Sequence, residues 1–193
     1  MKCTSGSIGP WYNNDNSWGV SAPGGTGFFA MVTGEDWRIS SPKKINDVNP
    51  GHNTWFSQSA NPADGQGYDA CYDNFIDPSY APTDRNSKFE VMFRVGYRAP
   101  NSPLSDHYGS NGAVPWARNV NIGGKDWPTG GALTMTYVDP NNSGWFSGSL
   151  TPFFQHGISN GWYSGDDYLT SVMAGWKFGK GDYTASSWGA IGF

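Results

Sequence analysis

Alternating apolar and polar residues predict β-strands along most of the chain. The alternation has a period of two, which places successive side chains on opposite faces of a strand. Turn-rich pieces containing Gly, Pro, Asn and Ser separate the alternating segments. The strand candidates are residues 27–33, 68–76, 88–97, 117–124, 132–139 and 186–193.

One helix is predicted near residues 151–160. Thr151 and Pro152 read as an N-cap and a first-turn proline, and four apolar residues after or beside them fall on one stripe. A second short helical stretch is an alternative around 166–173. Many strands with one short helix favour an all-β, two-sheet sandwich, and 193 residues without an internal repeat or linker predict a single domain over 1–193.

The strand at 88–97 has one apolar face and one mixed face. Phe89, Val91, Phe93, Val95 and Tyr97 point one way and belong against a core. Glu90, Met92, Arg94 and Gly96 point the other way. Glu90 is one of only two glutamates in the chain, the other being Glu35. The face that carries Glu90 is therefore a candidate site.

Residues 68–76 alternate in the same manner, with Asp69, Cys71 and Asp73 on one face. A carboxylate on a strand next to Glu90 would restrain its protonation and orientation. Two carboxyl groups on adjacent strands are typical of glycosidase sites.

Composition narrows the classes of partner. Aromatic residues make up 16% of the chain and charged residues 15%, and several of the 10 tryptophans lie in Gly-, Pro- or Asn-rich contexts, as expected of rings that stack on sugars. A net charge of -4 and a pI near 5.1 argue against a nucleic-acid partner. No apolar run spans a bilayer, and no His or Cys spacing is typical of a metal site. We therefore expect no metal, cofactor, nucleic-acid or membrane partner, and a monomer.

Cys3 and Cys71 are the only cysteines. They predict one disulfide that ties the N-terminus to an interior strand, with two unpaired buried thiols as the alternative. The start of the chain reads as a mature secreted sequence behind an added methionine. Both interpretations predict an extracellular protein.

Six motifs occur in an order that resembles glycoside hydrolase family 12. They are YNNDNSWG (12–19), YDACYDNF (68–75), FEVMFRVGY (89–97), NIGGKDW (121–127), FSGSLTPFF (146–154) and YLTSVMAGWKFGKG (168–181). The resemblance implies a secreted endo-β-1,4-glucanase or xyloglucanase with a jelly-roll sandwich, one helix, an open cleft and a β-glucan partner. Residues 20–67 depart from the family pattern.

Residue by residue, the resemblance makes Glu90 the nucleophile, Asp73 its supporting carboxylate, Met92 the methionine of the cleft floor and Trp18 a stacking aromatic. The full set of candidate substrate-binding residues is Tyr12, Asn14, Trp18, Met92, Arg94, Trp116, Trp127 and Trp176.

One departure concerns the catalytic pair. The family's general acid is the Glu of AGTE, and the matching stretch here is AGWK, which ends in Lys177. Arg94 replaces a family tryptophan and adds a second cation to the face of Glu90. We expect Lys177 to pair with Glu90 and to be a poor acid, and loss of general acid catalysis removes about 10²–10⁴-fold of rate.

Three functions follow as alternatives. The first is a glucan-binding protein with little hydrolysis, or a decoy that occupies a protein glucanase inhibitor. The second is an active retaining glucanase whose acid is Asp166, Asp167 or Asp182. The third is different polysaccharide chemistry with Lys177 as a base.

Overall fold

A computed structural model describes residues 2–32, 42–80, 88–101, 118–122, 125–130 and 134–193, and only the backbone of 2–5, 118–122 and 125–130. One α-helix, α1 (Thr151–Ser159), and a 3-10 turn (Ile45–Asp47) accompany the strands. The strands are β1 (Lys2–Ser5), β2 (Gly9–Asn14), β3 (Ser17–Ala22), β4 (Thr26–Val32), β5 (Lys43–Lys44), β6 (Asn53–Pro62), β7 (Tyr68–Asp77), β8 (Phe89–Arg98), β9 (Arg118–Ile122), β10 (Lys125–Gly130), β11 (Thr134–Val138), β12 (Trp145–Ser149), β13 (Tyr168–Phe178) and β14 (Gly181–Ile191).

The strands form two sheets. The large sheet has the order β1-β4-β13-β7-β8-β11-β10-β9, with β5 paired to β13, and the small sheet has the order β12-β6-β14-β3-β2. The described pairings are antiparallel except for β8 and β11, which are parallel. The all-β, two-sheet sandwich predicted from the sequence is confirmed.

Side chains from both sheets and from α1 fill one core. Four of the five residues predicted to face it from β8, Phe89, Val91, Phe93 and Val95, are buried there. From α1, the predicted helix, Phe153 and Phe154 pack into the same core. Side chains alternate between the two faces of a strand, so Glu90, Met92 and Arg94 lie on the face turned away from the core. The predicted faces of Tyr97 and Gly96 are wrong. A register shift opposite Cys71 and Ala70 pairs Tyr97 with the outer-face residue Asp69, and Gly96 with the core residue Ala70.

Two predictions about helices, the N-cap of α1 and the second helix, differ from the structure. α1 begins at Thr151, and its N-cap is Leu150 without a side-chain cap bond, one residue earlier than the sequence indicated. The alternative helix at 166–173 is wrong, because β13 runs through it. Leu169, Val172 and Ala174 of β13 are buried, and a register shift between Leu169 and Ser171 disguises the period of two.

The segment 20–67, whose strand pairing the sequence left open, contributes β4, at the strand predicted over 27–33, and β6 to different sheets. β6 is ten residues long, NTWFSQSANP. Its inward residues include Thr54 and Gln58 as well as Phe56. A strand whose both faces are partly polar carries little hydrophobic periodicity, and this is why the sequence did not reveal it.

The predicted disulfide between Cys3 and Cys71 is wrong, because Cys71 is a buried free thiol. β1 and β7 are separated by β4 and β13 in the large sheet. Three inter-strand steps of about 4.8 Å put the two strands about 14 Å apart, whereas a disulfide needs Cα atoms within about 7 Å. Burial raises the pKa of the Cys71 thiol well above its usual value.

Within the described residues, no helix combines the length and the apolar character needed to cross a membrane.

Candidate active site

The candidate site lies on the outer face of the large sheet, the face turned away from the core. Strand register places the members of this face side by side on four adjacent strands. They are Ser171, Met173, Gly175 and Lys177 of β13, Asp69, Cys71, Asp73 and Phe75 of β7, Glu90, Met92 and Arg94 of β8, and Thr134 and Thr136 of β11.

Glu90 lies between Phe75 of β7 and Thr134 of β11, its partners in register. The Thr134 hydroxyl donates to Glu90 Oε2 over 3.4 Å. The Glu90 side chain is partly exposed, and burial of its remainder raises its pKa, an effect that the Thr134 bond partly offsets. Glu90 is thus held toward the protonated form relative to a free glutamate.

Asp73 is the carboxyl group nearest in register to Glu90. It pairs with Met92, so it is the diagonal neighbour of Glu90 on the same face, at about 7–8 Å between Cα atoms. Burial, and then the charge of Glu90, raise the pKa of Asp73 well above its usual value. Asp73 Oδ1 finds no hydrogen-bond partner among the described residues. Burial and the charge of Glu90 therefore both favour the protonated form of Asp73.

Lys177 does not reach Glu90. It pairs with Asp69 of β7, six residues (75 − 69) along the strand from Phe75, the partner of Glu90. At 3.3–3.4 Å per residue this is about 20 Å along the strand. The predicted Lys177–Glu90 ion pair is therefore wrong, and the charge of Lys177 acts on Asp69 instead.

Arg94 also forms an ion pair with Asp69. Its Nε and Nη2 donate to Asp69 Oδ1, and Nη2 donates to the carbonyl of Asn101 over 2.8 Å. The guanidinium lies 4.4 Å from the centre of the Tyr97 ring. Burial raises the pKa of the Asp69 carboxyl, and Arg94 offsets part of that rise. Both cations of the outer face are thus gathered around Asp69.

A cavity of about 430 Å³ opens at the Lys177 end of this face. Glu90 is not among its lining residues, so the cavity and the Glu90–Asp73 pair are separate parts of the face. The lining residues are Thr26, Gly27, Phe28, Gly65, Gln66, Gly67, Pro100, Asn101, Lys177, Phe178 and Gly179.

Two predicted stacking tryptophans are core residues instead. Trp18 and Trp176 are both 0% exposed, and their ring centroids lie 4.9 Å apart. Trp176 Nε1 donates to Gln58 Oε1 over 2.9 Å. Trp176 is adjacent to Lys177 in sequence and so faces the opposite side of β13. Neither ring can stack on a sugar in this structure.

The other predicted binding residues are distributed more widely. Met92 lies on the outer face beside Asp73 but is buried. Tyr12 and Asn14 lie on β2, an edge strand of the small sheet, and the exposed Tyr12 hydroxyl donates to Asp15. Trp116 lies outside the described residues, as does Glu35, and only the backbone of Trp127 is described.

The three alternative acids also lie away from Glu90. Asp166 forms an exposed ion pair with Lys44 at 3.0 Å. Asp167 accepts from the backbone N–H of Ser164, in the turn before β13. Asp182 accepts from the Ser21 hydroxyl over 2.6 Å on the small sheet. Each carboxylate already has a local partner.

Sequence reasoning missed the role of Asp69 as the partner of Arg94. The signal existed, since the alternation of 68–76 placed Asp69 and Asp73 on one face. Strand register decides whether Asp69 or Asp73 lies beside Arg94. The register cannot be derived from a single sequence. Across the described part of the chain, no group of three or more His, Cys, Asp or Glu side chains could hold a metal ion.

The nine-stranded and five-stranded sheets with a single helix match solved structures. A family 12 xyloglucanase from Bacillus licheniformis superposes with a TM-score of 0.74 at 20% identity, over 95% of this chain and 85% of that one. The xyloglucanase domain of NopAA, a type three effector from Sinorhizobium fredii in complex with cellobiose, gives a TM-score of 0.69 at 18% identity over 99% and 98%. The chain has the fold of glycoside hydrolase family 12.

Sequence comparison agrees with this assignment. Over 138 residues, the chain is 28% identical to a xyloglucan-specific endo-β-1,4-glucanase A of Aspergillus aculeatus, covering 70% of this chain and 54% of the relative. The chain spans about half the length of the curated relatives it matches. No family model matches the chain. The family 12 resemblance indicated by the sequence motifs is confirmed.

Proposed function

We propose that the protein binds a β-1,4-linked glucan of the xyloglucan or cellulose class on the outer face of the large sheet, with little or no hydrolysis. The family 12 fold and its xyloglucanase relatives support the choice of ligand. Such polymers occur outside cells, so the proposal implies a secreted protein.

The proposed absence of hydrolysis rests on the composition of β13. A retaining glycosidase needs a second carboxyl group about 5–5.5 Å from the nucleophile, to protonate the leaving oxygen. The outer-face residues of β13, one strand beyond β7, are Ser171, Met173, Gly175 and Lys177. None of these four carries a carboxyl group. Asp73 is the nearest carboxyl to Glu90 in register, and it is buried against solvent.

Binding and hydrolysis are measured separately. Affinity electrophoresis in gels containing xyloglucan, carboxymethyl-cellulose or mixed-linkage β-glucan reports binding, and reducing-sugar release from the same polymers reports hydrolysis. We expect retardation by at least one glucan without sugar release. Phe28→Ala, at the cavity, serves as the binding variant, and Asp64→Asn, on an exposed turn, serves as the matched surface control.

Two results would contradict the proposal. Absence of retardation in all three polymers would refute glucan binding. Sugar release by the parent protein that Glu90→Ala abolishes would refute the absence of hydrolysis.

A second function, retaining hydrolysis with Glu90 as nucleophile, is favoured by the Glu90–Asp73–Thr134 arrangement. A protonated Asp73 could position Glu90, and the Thr134 hydroxyl already donates to it. The described residues offer no acid opposite Glu90. If the parent protein is active, substitution of Glu35, Asp166, Asp167 and Asp182 one at a time identifies the acid by loss of kcat on the natural polymer with retention on an activated aryl glycoside.

A further inference from the structure

The outer face of the small sheet carries exposed tryptophans that the proposed glucan site does not use. Trp145 of β12 is 57% exposed, and Trp55 of β6 is partly exposed. Trp145 pairs with Ser57 and Ser147 pairs with Trp55, so the two indoles are diagonal neighbours on one face, about 7–8 Å apart at their Cα atoms.

Trp55 lies flat on the sheet because its neighbour on β14 is a glycine. Gly189 pairs with Trp55, and a Cβ at residue 189 would lie 2.2 Å from Cζ2 of the indole. The ring therefore lies over residue 189, in the space that a side chain there would fill. Trp11 lies over Gly19 in a similar way, on the same face near the opposite edge of the sheet.

Hydroxyl groups surround the two indoles. Ser57, Ser147 and Ser187 line, with the rings, a shallow cavity of about 320 Å³, which suits a small ligand or a few sugar units. Each serine hydroxyl both donates and accepts hydrogen bonds. Flat rings flanked by such hydroxyls match a pyranose, which has apolar C–H faces and a rim of hydroxyl groups.

The charge of this sheet favours a neutral ligand. Asp182 is the only charged side chain in β2, β3, β6, β12 and β14, and it accepts from Ser21. The large sheet, by contrast, carries Asp69, Arg94 and Lys177 on its outer face. A neutral polymer loses no ionic hydration on the small sheet, whereas a charged partner would find no complementary charge there.

We propose that the outer face of the small sheet is a second carbohydrate-binding surface, on which Trp55 and Trp145 stack against the sugar rings of a neutral β-linked glucan. The choice of glucan rests on the proposed function, while the surface is separate from the candidate active site. A polymer held at two places on one chain would dissociate more slowly than one held at a single place.

The test follows the indole N–H resonances of Trp55 and Trp145 in a ¹H–¹⁵N spectrum during titration with cellohexaose. Trp55→Ala and Trp145→Ala assign the two signals. We expect both signals to move with one saturable midpoint, and in Trp145→Ala we expect the midpoint followed at Trp55 to rise about tenfold, as removal of a stacked apolar surface predicts. Tyr80→Ala, which removes a 51% exposed ring from a turn after β7, should leave that midpoint unchanged.

Three outcomes would overturn the second surface. If only backbone signals of the large sheet move, the proposed function stands and this inference fails. If no signal moves, both fail. If the two indole signals shift with protein concentration in the absence of sugar, the face is an interface between copies. Movement of the two indoles without any change on the large sheet would instead support this surface and refute the proposed function.

Discussion

Arg94 and Asp69 form a buried ion pair on adjacent strands of the large sheet, with side chains only 4% and 5% exposed. Arg94 additionally donates to the carbonyl of Asn101 and lies over the Tyr97 ring. The ion pair with Asp69 holds the Arg94 guanidinium away from Glu90. The electrostatics of the candidate site therefore depend on Asp69 as much as on Glu90.

Arg94→Ala should destabilise the fold strongly, because it leaves the Asp69 carboxylate buried without its partner. The expected loss is about 3–5 kcal/mol in the free energy of unfolding, measured by urea denaturation. The matched control is Lys44→Ala, which removes the exposed partner of Asp166 (42% and 76% exposed) and should leave the free energy of unfolding nearly unchanged. Equal losses in the two variants would contradict a buried, paired Asp69.

Asp73→Asn should stabilise the protein increasingly as pH rises. The folded-state pKa of Asp73 is raised, so the folded state keeps a proton that the unfolded chain releases above about pH 3.9. The unfolded state then binds fewer protons, and the free energy of unfolding of the parent falls as pH rises from about 4 toward the folded-state pKa. Asparagine resembles the protonated carboxyl and avoids this loss. The difference between variant and parent should grow by about 1.4 kcal/mol per unit of pH.

Urea denaturation of both proteins between pH 4 and pH 7 measures this difference. A difference that stays constant over the range would mean that Asp73 is not held protonated by burial.

Trp176→Ala should cost about 3–5 kcal/mol of stability, because the indole is fully buried against Trp18 and Phe56. It also removes the donor to Gln58. Trp145→Ala, at a ring that is 57% exposed, should change stability by about 1 kcal/mol or less. Thermal unfolding of the two variants distinguishes them. Loss of glucan binding in a fully stable Trp176→Ala protein would place the ring in the cleft and refute its core position.

Lys177→Glu should not create hydrolysis, although it restores the residue type found in the family motif. The new carboxyl group would stand beside Asp69, about 20 Å along the strand direction from the level of Glu90. Reducing-sugar release from xyloglucan by this variant, with and without Glu90→Ala, is the measurement. Activity that appears with Lys177→Glu and disappears with Glu90→Ala would show that the two positions meet, contrary to the register described here.

Several site residues could not be assigned from the alternation of apolar and polar residues alone. Glu90, Met92 and Arg94 were placed correctly on one face because they precede the register shift in β8. Beyond that shift, the predicted faces of Gly96 and Tyr97 are wrong. Trp176 and Trp18 were misassigned because aromatic rings in Gly-rich surroundings serve a core as readily as a groove. Trp176 and Lys177 are adjacent in sequence and therefore face opposite sides of a strand, which would have distinguished a core ring from a groove ring. The apolar run of β13 hid this alternation.

The sequence alone determined the all-β class, a helix near 151–160, the core face of β8 from Phe89 to Val95 and the family resemblance, because these depend on local periodicity and on motif order. Only the tertiary structure decided that Arg94 and Lys177 serve Asp69, that Cys3 and Cys71 are too far apart to bond, and that Trp18 and Trp176 meet in the core. Periodicity assigns each side chain to a face, whereas neighbours on a face are chosen by strand order and register. Those are properties of pairings between residues far apart in the chain.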